Sequence, residues 1–289
     1  MEAAFAEMPL ALFSTLAPLG AGAFVALAAA FLAADLSDDQ LKKIDKMTVI
    51  PVVLVLAGFV AAFFHLASPL NAFGVFAGVG TSPLSNEVAV GCVFVVLMLA
   101  YWIWALTGKM GRGARKGMAV VVAVAALVFA AFTGLAYLMD TIASWNTPAV
   151  PLQMMGYCLA GGAAAGVLVL GLAGCGEALG TSPLKVTLIV LAIAGAVIGI
   201  GAAAMQLSAA SGMATPFYAG GDLVDGVMMT FVLGAVCLAA SAVCTVLAVR
   251  GKSAAALGGA ATVLAFVGIL CLRLAFYGIQ LSVGLALLP

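Results

Sequence analysis

The chain is poor in charge: only 8% of its 289 residues are Asp, Glu, Lys or Arg. A soluble domain carries about a quarter, so this chain has too few charges to cover its own surface in water. Eleven basic residues balance eleven acidic ones, which gives no electrostatic case for a nucleic-acid partner. Histidine is scarcer still, with His65 alone. A haem held by two histidines and a multi-histidine metal site are therefore excluded. The six cysteines form no C-x-x-C pair, which argues against an iron–sulfur cluster in this chain. Cysteines scattered through apolar sequence are expected to pack as small hydrophobes. Residues 1–8 contain no Lys or Arg, whereas a cleaved signal peptide begins with positive charge. The first apolar block is expected to be a retained helix.

What the chain does have is long apolar runs. A membrane-crossing helix needs about 20 such residues. Runs of that kind are expected as helices near 9–34, 47–67, 87–106, 117–139, 151–173, 184–205, 226–249 and 254–281. The expected fold is all-α: one integral membrane domain over residues 1–289, with about eight transmembrane helices. Gly and Ala recur in residues 160–166 and 195–204, where small side chains let helix backbones approach closely in lipid.

The connections alternate in charge. Residues 35–46, 107–116, 174–185 and 250–253 hold Lys42, Lys43, Lys46, Lys109, Arg112, Arg115, Lys116, Lys185, Arg250 and Lys252. The remaining connections and both termini hold no basic residue, and the eleventh, Arg273, lies in the last apolar run. Basic loops stay in the cytoplasm, so both termini are expected outside it, in a multi-pass protein of the cytoplasmic membrane. The outer connections 68–86, 140–150 and 206–225 carry Gly, Pro and aromatic residues but little charge. They are expected to be covered by lipid headgroups or a docked protein. The pentapeptide GTSPL at 80–84 recurs at 180–184. The topology puts the copies on opposite faces, so both read as helix starts rather than a shared site.

Three ionisable residues fall at one depth. His65 follows Lys46 by about 28 Å of helix, and Arg273 follows Lys252 by about 31 Å. Glu87 opens the helix that enters from the outer side. Singly, these read as an interfacial histidine, a carboxylate favoured by the helix dipole and a snorkelling arginine. Their shared depth favours a joint site. Histidine exchanges a proton near neutrality, a nearby carboxylate can pass it outward, and an arginine can hold that carboxylate ionised or bond a quinone oxygen. Such a set suits quinol oxidation in a lipid-connected pocket.

At these residues the protein resembles a known family, the membrane-anchor subunit of dimethyl sulfoxide reductase, itself distantly similar to the polysulfide reductase membrane subunit. The resemblance begins with Glu7-Met8-Pro9-Leu10. It continues through His65-Leu66-Ala67-Ser68-Pro69, the segment from Leu70 to Phe73, and Leu84-Ser85-Asn86-Glu87. Trp145 with Pro148, and Arg273 with Phe276-Tyr277-Gly278, extend it along the whole sequence. Ala67 stands where the family has glycine. The resemblance implies an anchor that binds and oxidises menaquinol, without haem. It implies as partners an iron–sulfur electron-transfer subunit and a molybdopterin catalytic subunit on the extracytoplasmic side. It assigns the family's functional histidine and glutamate to His65 and Glu87. Ser68, Arg273 and Tyr277 complete the expected quinol-contacting set. Two other readings stand beside it. A secondary transporter usually shows broken helices and polar sites at the midplane, whereas here the ionisable residues lie near one surface. A proton-pumping quinone module needs protonatable groups across the membrane, and the inner halves of the expected helices offer no charged residue or histidine.

Overall fold

Backbone amides in lipid must be satisfied within the protein, which leaves helices as the outcome for long apolar runs. The computed structural model describes residues 2–65, 69–251 and 253–282. Among them the order is α1 (Glu2–Ala6), α2 (Met8–Ala33), α3 (Asp38–Met47), α4 (Val49–Phe63), α5 (Pro83–Leu106) and α6 (Arg112–Leu135). There follow α7 (Ala149–Leu172), α8 (Gly176–Leu179), α9 (Leu184–Ser211), α10 (Gly220–Ala248) and α11 (Ala254–Gly278). With α3 and α4 running together, eight helices among the described residues are long and apolar enough to cross a membrane. Their outward faces carry bare apolar side chains, such as Val96, Val197, Met229 and Val263, as lipid requires.

Several boundaries differ from expectation for local reasons. The second span begins at Asp38, not near 47. Ser37 and Gln40 form a reciprocal cap there, and the first turns are amphipathic, with Leu41, Ile44 and Asp45 buried. That polar-looking stretch reads as loop in one dimension. The sixth span continues to Ser211 because Gln206 is buried with hydrogen-bond partners. The seventh begins at Gly220, whose missing side chain lets it abut the Ala210 carbonyl. Asp222 lies in its first turn, where the helix dipole favours acid. A 3₁₀ segment, Pro69–Gly78, precedes α5. The two GTSPL copies diverge. Ser82 caps α5 by accepting from the Ser85 amide, but the second copy places Pro183 at the start of α9 without a side-chain cap.

The core is organised around α2 and α7. α2 packs on α4, α6 and α7, and α7 packs on α2, α9 and α11. Small residues make this possible. A Cβ on Gly22 would sit 1.8 Å from the Cys158 carbonyl oxygen, and one on Gly162 would lie 2.3 Å from Gly22 Cα. All six cysteines are free. Burial pushes the Cys175 thiol up to about 11, so it stays protonated and packs as a hydrophobe.

The basic connections meet at one end of the bundle. Gln40 donates to the Gly174 carbonyl (3.2 Å), Arg112 to that of Leu36 (2.9 Å) and the Trp102 indole to that of Asp45 (3.0 Å). Arg115 and Asp45 form a buried ion pair. This corrects the expectation that the inner halves of the helices are free of charge. Asp45 and Arg115 belong to membrane-crossing helices, not loops, and each is committed to the other.

Candidate functional site

His65 closes the last turn of its helix. The Phe64 and His65 amides donate back to the Ala61 and Ala62 carbonyls at 3.1 and 3.0 Å. The imidazole then emerges at the bundle end opposite the basic loops, 40% exposed. Its Nδ1 lies 3.6 Å from Glu7 Oε2. Glu7 is held just ahead of α2, which Pro9 opens. Phe63 and Phe64, on the stretch leading to His65, and Phe73 and Phe76, on the 3₁₀ segment that follows in sequence, are exposed. Ser68, expected beside His65, lies outside the described residues.

Glu87 sits about 6 Å into α5 by helix rise and is buried. The Asn86 side chain next to it accepts from the Gly80 amide at 2.7 Å, fixing the entry to the helix. The polar groups acting on Glu87 are the Thr133 hydroxyl of α6 and the Arg273 guanidinium of α11. Its Oε1 is buried with no hydrogen-bond partner.

Arg273 is fully buried, so it does not snorkel. Nε donates to Ser14 Oγ at 2.8 Å and Nη2 to the Tyr277 hydroxyl at 3.1 Å. Its charge lies over the rings of Phe276 (3.9 Å), Tyr137 (4.8 Å) and Tyr277 (4.9 Å). A delocalised guanidinium stacks on aromatic faces in this way where a lysine ammonium would not. The Tyr137 and Tyr277 hydroxyls bond each other, and Trp145 stacks on Phe276. Nη1 is buried without a partner, as are the Tyr157 hydroxyl and Gln153 Oε1.

The three ionisable residues read from sequence thus share one end of the bundle but fall into two groups. His65 pairs with Glu7 at the rim. Glu87 and Arg273 lie inside, among hydroxyls and rings. Tyr277 belongs to the second group.

Residues 1–279 match the family described as DMSO reductase anchor subunit (DmsC). The protein belongs to that family. It is 29% identical over 293 residues to the C subunit of anaerobic dimethyl sulfoxide reductase from Escherichia coli (strain K12), with 99% of each sequence covered. It is 31% identical to the corresponding C subunit from Haemophilus influenzae over 149 residues, half of this protein and 52% of that one. A third relative, the YnfH subunit of anaerobic dimethyl sulfoxide reductase from E. coli, is 30% identical over 140 residues, 48% of this protein and 49% of that one.

In this anchor subunit, two cavities lie apart from the His65 end. One, of about 100 Å³, is lined by Phe31, Asp35, Arg112 and Arg115 at the basic end. The other, of about 480 Å³, is an apolar groove between α9 and α10 that faces lipid. Sequence reasoning missed Glu7, Ser14, Thr133 and Tyr137 as neighbours of the anchor's ionisable residues. Glu7 carried a signal, as an acidic residue at the head of the Glu7–Leu10 family segment, at the end away from the basic loops. Ser14, Thr133 and Tyr137 carried none, because hydroxyls inside apolar helices are common.

Proposed function

We propose that this anchor subunit binds menaquinol at the His65 end of the bundle and oxidises it. In this reading it passes the electrons to an iron–sulfur partner that serves a molybdopterin catalytic subunit. The observation that carries the reading is the single histidine standing half-exposed beside Glu7, with the buried Glu87 carboxylate and the buried Arg273 guanidinium at the same end. Phe63, Phe64, Phe73 and Phe76 offer apolar surface to a quinol ring and its isoprenoid tail. His65 takes a hydroxyl proton, and Glu87 assists proton release. Arg273, bound by Ser14, Tyr277 and three rings, keeps Nη1 without a partner, which suits a carbonyl or carboxylate oxygen. Oxidation releases two protons and two electrons per quinol. The sequence offers no clustered cysteines or paired histidines to hold a redox centre for the electrons, which supports a cluster-bearing partner docked at this end. The exposed aromatic residues Phe217 and Tyr218 suit such docking.

Purification of the tagged protein under mild detergent tests the reading. A molybdenum protein and an iron–sulfur protein are expected to accompany it, and the assembly is expected to oxidise menaquinol. Recovery without a cluster protein, or an assembly unable to use quinol, contradicts it.

A further inference from the structure

The two ring nitrogens of His65 have different surroundings. Nδ1 faces Glu7 Oε2 at 3.6 Å, just beyond a hydrogen bond. Nε2 is on the opposite edge of the ring. The Glu7 oxygen is buried and has no hydrogen-bond partner. A buried carboxylate oxygen left without a donor is costly, and the imidazole Nδ1 is the donor within a few tenths of an ångström. Glu7 is set there by the fold. α1 packs on α11 with Ala4 fully buried, and α2 starts immediately after Glu7. Among the described residues at this end, several ionisable groups have neighbours other than His65. Glu87 faces Thr133 and Arg273, Arg273 and Tyr137 are joined through Tyr277, and Asp140 accepts from Asn146 at 2.8 Å.

We propose that Glu7 is the positioning partner of His65. The inference rests on the quinol-oxidising reading given above. Glu7 holds the proton of neutral His65 on Nδ1 and so presents Nε2 as the acceptor. When a quinol O–H bond breaks, its electron pair stays on oxygen and an N–H bond forms at Nε2. The imidazolium so formed is stabilised by the Glu7 carboxylate, and the contact closes to a charge-assisted hydrogen bond. The electrons leave for the partner's cluster. This is the orienting role that a carboxylate plays toward a histidine base in other enzymes. The competing role for Glu7 is a helix-start charge that favours the α2 dipole, which affects stability alone.

The test uses the complete membrane-bound complex carrying Glu7→Gln, Glu7→Ala or His65→Ala. It compares menaquinol-driven turnover with turnover driven by a soluble dye that reduces the partner subunits directly. Glu7→Gln is expected to lower quinol-driven kcat by about tenfold or more, to leave the quinol KM within about threefold, and to leave dye-driven turnover intact. Added formate is expected to restore part of the quinol-driven rate in Glu7→Ala, because His65 is reachable from solvent. Wild-type quinol turnover in Glu7→Gln with an inactive His65→Ala overturns this inference and leaves the proposed function standing. Full activity in His65→Ala overturns the proposed function itself. A Glu7→Gln variant with raised KM and unchanged kcat assigns Glu7 a structural role and overturns the inference. If Glu7→Gln assembles poorly, formate rescue of the assembled Glu7→Ala fraction decides: restored turnover supports the role, and no restoration overturns it.

Discussion

Arg273 Nε donates to Ser14 Oγ at 2.8 Å, joining the last membrane-crossing helix to the first across 259 positions of sequence. Both groups are fully buried. The bond therefore closes the bundle at the end that carries His65, and it fixes where the unpartnered Nη1 points. Removing Ser14 leaves a buried charge short of one acceptor, while removing Arg273 empties the space among three rings. Ser14→Ala is expected to lower stability by about 1 kcal/mol, and Arg273→Ala by more. Thermal unfolding of the purified complex in detergent measures both. Equal, negligible shifts would show that the linkage is not structural.

The backbone contact between Gly22 and Gly162 leaves no room for a side chain. Gly162→Leu is expected to force α2 and α7 apart, costing about 1–3 kcal/mol or more and lowering the amount of assembled complex. Gly113→Ala is the control, since a Cβ there meets no neighbouring atom. Wild-type levels of the Gly162→Leu protein would contradict the central packing.

Glu87→Gln keeps the shape of the side chain but removes the charge and the proton acceptor. It is expected to reduce quinol-driven kcat by about tenfold or more with little change in quinol KM. Steady-state kinetics across quinol concentrations separates the two. A change confined to KM would make Glu87 a binding group rather than a route for protons.

The charge pattern of the loops predicts that the basic end faces the cytoplasm. A reporter active only in the cytoplasm is expected to work when fused at Gly113 and to fail at Asn146. If the quinol site is on the outer side, protons and electrons leave on the same side, and turnover in sealed vesicles generates no membrane potential. A potential built up by turnover would contradict the outer-face arrangement.

Much of this architecture was legible in one dimension. The eight spans, the split of basic residues to one end, and the common level of His65, Glu87 and Arg273 follow from hydropathy and from counting rise along helices. The start of α3 was hidden because its first turns bury Leu41, Ile44 and Asp45 on one side only, so an amphipathic helix looked like a charged loop. The pairing of residues within the level was hidden for another reason. Whether His65 meets Glu87 or Glu7 depends on how α2, α4 and α5 rotate against one another. That rotation is set by close contacts such as Gly58 on Ala17 and Gly91 on Phe59, which no spacing rule encodes. The resemblance supplied the roles proposed for His65 and Glu87. It did not supply their separation into a rim pair and a buried group.

The central claim is that His65 is the proton acceptor in quinol oxidation, and it is tested most directly by quinol-driven turnover of the complex carrying His65→Ala. Dye-driven turnover is measured in the same membranes to score assembly. Loss of quinol-driven activity by about 100-fold or more, with dye-driven activity retained, is the predicted result. Quinol-driven turnover at the wild-type rate would contradict it.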